Sequence, residues 1–87
     1  MNLPMRKSAD EASETCGISI ALIIQYIEQD WINPIDWEHG ILDEEDIARI
    51  RLINELKDDF GVNDEALPII LHLLDQINLL HRKIREL

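Results

Sequence analysis

Eighty-seven residues make one small domain, and a chain of this size buries only about 60–65% of its unfolded surface, so it often needs a second chain. With 46% hydrophobic and 30% charged residues the composition is that of a soluble globular protein. The net charge of −10 excludes a generic binder of nucleic acid or anionic membrane and favours basic partners.

Met1 to Lys7 reads as a tail, with a short strand as the alternative, since Pro4 argues against a helix. It is basic but has no apolar signal core, and no apolar run nears the roughly 20 residues that span a bilayer. The expected location is cytoplasmic. The single cysteine, Cys16, has no intramolecular disulfide partner, which fits a reducing compartment.

Ser8 or Asp10 can cap a first helix to about Cys16, with acidic residues favoured in its opening turn. Gly17 ends that helix. Ser19 then caps a second, from Ile20 to about Gln29, whose buried stripe is expected at Ile20, Ile23, Ile24 and Ile27. Two short helices joined by a glycine turn form a helix-turn-helix. Asn33 is steered out of helical space by Pro34, so the chain leaves extended. Ile35 to Leu42 reads as a small wing of two strands turning at His39-Gly40.

A helix-turn-helix is best known for gripping DNA, yet Ser8 to Ala48 contains no Lys or Arg and eleven Asp or Glu. Non-specific DNA affinity comes mainly from cations that neutralise phosphates. The scaffold is therefore expected to meet a basic protein surface instead.

Asp43 and Asp46 resemble a capping box at the start of a third helix, with Glu44 and Glu45 in its first turn. Ile47, Ile50, Ile53, Leu56 and Phe60 are expected to point inward, and Gly61 stops the helix. Asn63 can cap the last helix, which starts irregularly before about Leu67 because Pro68 removes a backbone donor. Ile70, Leu73, Ile77, Leu80, Ile84 and Leu87 then recur at intervals of three and four, with Ile at one heptad position and Leu at the other. That is a coiled-coil seam, read as a homodimer interface with an intradomain cover helix as the alternative. The expected fold is all-α with four helices and a small wing: tail 1–7, winged helix-turn-helix 8–62, dimerisation helix 63–87.

Leu42 to Ile50, Asp59-Phe60-Gly61-Val62-Asn63 and Leu73 to Ile77 resemble the chaperone-modulator CbpM family. Cys16-Gly17-Ile18-Ser19 is similar to that family's first turn, and Tyr26 to Pro34 resembles a MerR-type exit into the wing. The resemblance covers roughly residues 10 to 85. It implies a MerR-like dimer that binds the J-domain of a CbpA-like co-chaperone and inhibits both its stimulation of a DnaK-type chaperone and its DNA binding. J-domains present a basic helix to their chaperone, so an acidic competitor is electrostatically matched. Two departures weigh against DNA. Ile24 stands where MerR regulators place a phosphate-contacting Arg, and the wing carries Asp36 and Glu38 instead of cations.

The expected partner-binding residues are Glu44, Glu45, Leu52, Glu55, Asp58 and Asp59. Leu52, Glu55 and Asp59 share a helix face by their spacing. The competing reading gives Asp43 to Asp46 to helix capping, and one of Asp58 and Asp59 to the start of the next helix. Trp31 is expected in the core, and Trp37 in the core or at a partner interface. Cys16 is expected to pack as a small hydrophobe. His39, His72 and His81 match no metal spacing. No phosphate loop, nucleophile elbow or acid–base set appears, so the expectation is a non-enzyme without cofactor or metal.

Overall fold

Ser8 is the residue where strand becomes helix. Its Oγ accepts from the Glu11 backbone N–H at 3.2 Å while its own N–H donates to Glu11 Oε1 at 3.1 Å. This reciprocal box satisfies two of the otherwise orphaned donors at a helix start. The computed structural model describes residues 6–86, so Met1 to Met5 of the expected tail, and Leu87 of the seam, lie outside the described residues.

Strand β1 (Arg6–Ser8) is followed by α1 (Ala9–Cys16) and α2 (Ile20–Glu28). Between the helices Gly17 adopts φ 67°, a left-handed conformation that costs glycine little, and Ser19 caps α2 by accepting from the Leu22 N–H. The core side of α2 differs from the expected stripe. Ile23 and Tyr26 are buried, Ile20 and Ile27 are half-buried, and Ile24 is 38% exposed. The helix turns Tyr26 inward because its hydroxyl finds Asn54 Oδ1 at 2.7 Å, which makes a large amphipathic ring acceptable in the interior.

The chain leaves α2 through Asp30, at φ 61°, and drops Trp31 and Ile32 into the core. The wing departs from expectation. In place of two strands flanking His39-Gly40 there is a single 3-10 turn, Trp37–His39, closed by an isolated bridge between Asp36 and Ile41. Strand β2 (Ile41–Asp43) pairs with β1 instead, antiparallel, with Lys7 opposite Leu42. Residues 37–40 close as a turn, and the strand that pairs with β2 comes from the end of the expected tail.

Helix α3 (Glu44–Asp58) begins with a second box, in which Asp46 N–H donates to Asp43 Oδ1 at 2.9 Å and Asp43 N–H to Asp46 Oδ2 at 3.0 Å. Ile47, Ile50 and Ile53 are buried on its inner side. Phe60, expected inward, is 72% exposed. The helix has ended by then. Gly61 turns the chain at φ 65°, and Val62 N–H returns to the Leu56 carbonyl. Val62 thereby takes the packing place the periodicity had assigned to Phe60.

Asn63 Oδ1 accepts from the Ala66 N–H at 2.8 Å, and an irregular turn precedes α4 (Leu67–Arg85), with Pro68 at its start as expected. Leu67 and Leu71 are the buried residues of α4. With Ala12, Ile23, Tyr26, Trp31, Ile32, Leu42 and the α3 isoleucines they form one core. The described residues form a small winged helix-turn-helix of four α-helices and a two-stranded sheet. No helix among the described residues is long and apolar enough to cross a membrane.

Candidate protein-interaction surface

In a DNA-binding helix-turn-helix the exposed side of the second helix approaches the groove. Here that side presents Ala21, Ile24, Gln25 and Glu28, all exposed. The acidic start of α1, Asp10 and Glu11, is exposed as well. None of these groups can neutralise a phosphate.

The cations are elsewhere, and two of the three on α3 are engaged inside the fold. Arg49 donates from Nε to the Trp31 carbonyl at 3.0 Å and from its two terminal nitrogens to both oxygens of Asp75 at 2.8 and 3.1 Å. Lys57 pairs with Asp64 at 3.1 Å while its ammonium stands 5.7 and 5.6 Å from the Tyr26 and Trp31 ring centres. That position combines ion pairing with cation–π attraction.

The α3 carboxylates fall on two surfaces. Glu55, Asp58 and Asp59 line one groove of about 420 Å³ together with Cys16, Arg51 and Asn54, between the end of α1 and the C-terminal half of α3. Glu45 and Leu52 line a different groove of about 780 Å³, between α3 and the outer half of α4, where Leu79, Arg82 and Arg85 form the opposite wall. Glu44 is exposed at the start of α3. The expected single face through Leu52, Glu55 and Asp59 is thus divided. Leu52 turns toward α4, whereas the two carboxylates turn toward α1.

Capping roles are also divided. Asp43 and Asp46 form the box at α3, and burial raises the Asp46 carboxyl above its ordinary range. Glu44 and Glu45 remain exposed. At the other end of α3 the side chain that caps the next helix is Asn63. Among the described residues no side-chain hydrogen bond engages Asp58 or Asp59, so both carboxylates face the grooves beside them. Burial raises the Cys16 thiol, against the opposing pull of Arg51, and also the Tyr26 hydroxyl. The thiol therefore stays protonated and packs as a small hydrophobe. His39 holds its ring nitrogen 2.6 Å from Asp36 in the wing, and that hydrogen bond lowers the Asp36 carboxyl.

Two features of the surface stand outside the expected site. Phe60 stands exposed immediately after Asp58 and Asp59, a single aromatic beside the acidic groove. The Arg49–Asp75 clamp joins positions 26 apart in sequence, which no periodicity relates.

On α4 the seam splits as well. Ile70 is half-buried, while Leu73, Ile77, Leu80 and Ile84 are exposed. The helix covers its own core with its first turns only.

A family model described as MerR HTH family regulatory protein matches residues 8–87. No curated protein and no solved structure matches the chain. The matched span takes in both short helices, the wing, α3 and α4, and the chain belongs to the MerR HTH family of regulatory proteins, a non-enzymatic type of domain.

Proposed function

We propose that this MerR-family domain is a cytoplasmic modulator that binds protein rather than DNA, and that its target is the J-domain of a CbpA-like co-chaperone. The observation that carries the reading is the exposed face of α2, where Ala21, Ile24, Gln25 and Glu28 leave no cation for a phosphate. The resemblance of Leu42 to Ile50 and of Asp59 to Asn63 to chaperone modulators names the partner. In this reading Glu55, Asp58 and Asp59 offer one concave acidic groove to the basic helix that a J-domain presents to its DnaK-type chaperone. Glu45 and Leu52 lie off this groove, on the α4 side of α3, and they and Glu44 join the contact only where the partner reaches around that helix. Inhibition is competition, because the covered helix is no longer free for the chaperone. Complementary charge of this kind speeds encounter and rejects acidic partners.

The experiment is calorimetric titration of the chain with a CbpA-like J-domain at low ionic strength, followed by a chaperone ATPase assay. Saturable binding that suppresses J-domain stimulation supports the reading, and absence of heat at low salt removes it. The second reading, a MerR-like DNA-binding transcriptional regulator, is favoured by the family match over residues 8–87. Selection from random duplex DNA that yields nanomolar, sequence-specific binding establishes that reading in its place.

A further inference from the structure

The inner side of α4 extends beyond the core it covers. Leu67 and Leu71 are buried there, and Asp75, Leu79 and Arg82 continue the same side outward at intervals of three and four. Asp75 is held by Arg49. Past that clamp α4 and the first half of α3 flank a groove of about 780 Å³, floored by the buried Trp31 and Ile32 and open to solvent. Ala48 and Leu52 line it from α3, and Leu79, 47% exposed, lines it from α4. Apolar side chains from three segments thus converge on a space that no described element of the chain fills.

Charge says what that space accepts. Three of the chain's eight cations are Arg82, Lys83 and Arg85, and none of them forms an ion pair among the described residues. Arg82 and Arg85 line the groove. Of the carboxylates in the lining, Asp75 is held by Arg49 and Asp46 belongs to the cap of α3, which leaves Glu45 alone against two guanidiniums. The groove is therefore locally cationic in a chain of net charge −10. At physiological ionic strength exposed charges are screened beyond roughly 8 Å, so the two guanidiniums act on a bound group more strongly than the distant excess of carboxylates. An open cleft between two helices suits a third helix laid in with its apolar stripe down. It suits a small molecule less, because such a ligand is held by enclosure of most of its surface.

We propose that this groove is a docking site for an acidic amphipathic helix of a partner protein. The apolar stripe of that helix packs on Leu52, Leu79 and the floor of Trp31 and Ile32, and its carboxylates take the free guanidiniums of Arg82 and Arg85. The site is separate in position from the groove of Glu55, Asp58 and Asp59 on the α1 side of α3, and it prefers the opposite charge. It does not depend on what that groove binds. With both grooves occupied the domain is an adaptor, and α3 is the wall between a basic and an acidic partner.

The test is a fluorescence titration of the full chain. Trp31 and Trp37 are its two tryptophans, so Trp37→Phe leaves Trp31, in the groove floor, as the single emitter. The probes are two synthetic helices without tryptophan that share a leucine stripe, flanked by Glu in one and by Lys in the other, at about 0.15 M salt. The Glu helix is expected to change Trp31 emission saturably and to bind tenfold or more tighter than the Lys helix. Arg82→Glu with Arg85→Glu should reverse that preference, and Glu45→Lys should tighten the Glu helix. All three side chains are exposed, and circular dichroism checks that each variant keeps its fold. Absence of a saturable change, or a native preference for the Lys helix, overturns the proposal, as does a preference that survives the double reversal. Saturable binding of decanoate in place of the Glu helix overturns the helical occupant. Emission that shifts on dilution of the chain alone, without peptide binding, gives the groove to a second copy and overturns the partner.

Discussion

Arg49 and Asp75 lie on different helices, yet their side chains meet in a two-pronged ion pair, with N···O distances of 2.8 and 3.1 Å, while the Arg49 Nε reaches the Trp31 carbonyl. One guanidinium thus joins the exit of α2, the body of α3 and the middle of α4. The planar fork of arginine is suited to this, and lysine is not an equivalent. It holds the direction in which α4 leaves the domain.

Removing the clamp tests its weight. Asp75 is more than half exposed, so solvent screens the pair and Asp75→Ala is expected to cost only about 0.5–1 kcal/mol. Arg49→Ala also leaves the Trp31 carbonyl without its donor and is expected to cost about 1–2 kcal/mol. Urea denaturation of both variants and of the double variant measures this. Equal losses for the two single variants would mean that the Trp31 contact contributes nothing.

Tyr26→Phe isolates another long-range contact. The substitution keeps the ring beside Trp31 but leaves Asn54 Oδ1 without the hydroxyl that donates to it at 2.7 Å. A loss of about 1–2 kcal/mol is expected in the same assay. An unchanged midpoint would show that water replaces the hydroxyl at no cost.

Phe60→Ser should change stability by less than about 0.5 kcal/mol, as surface substitutions usually do, because Phe60 is 72% exposed. A loss of several kcal/mol would restore Phe60 to the core where its spacing first placed it.

Asp46 gives the fold a pH dependence with a definite sign. Burial raises its carboxyl above the ordinary 3.8 in the folded chain, so folding favours the protonated form. Its stabilising share is full below 3.8 and is lost as pH rises through the raised folded value. Asp46→Asn keeps an acceptor for the Asp43 N–H without the charge. Melting temperatures of the two proteins from pH 3.5 to 7 should diverge in favour of Asp46→Asn as pH rises. A gap that is constant, or that closes, contradicts the account.

Much of the fold was legible because helix boundaries are decided locally. Ser8, Gly17, Ser19, Asp43 with Asp46, Gly61 and Asn63 act within a few residues of themselves, and each stands at the boundary its chemistry suggests. Two of the three departures arise where distant contacts decide. The pattern of the wing does not reveal that β2 takes its partner from Arg6–Ser8, at the other end of the domain's first half. Tyr26 was missed because its acceptor, Asn54, is 28 positions away. Phe60 was misplaced because helical periodicity was extended past the point where Gly61 breaks it. The carboxylates of the proposed site were visible as a group. Their division between the α1 side and the α4 side follows from how α3 sits among its neighbours, which spacing alone does not specify.

We propose that an acidic surface of this MerR-family domain binds a basic protein helix. The most direct measurement is calorimetric titration of a CbpA-like J-domain into the native chain and into the Glu55→Lys, Asp59→Lys variant at low ionic strength. Both side chains are exposed, so the variant should keep its fold, which circular dichroism verifies. The account predicts saturable binding by the native chain and a loss of tenfold or more in the variant. Binding that the double reversal leaves unchanged would contradict it.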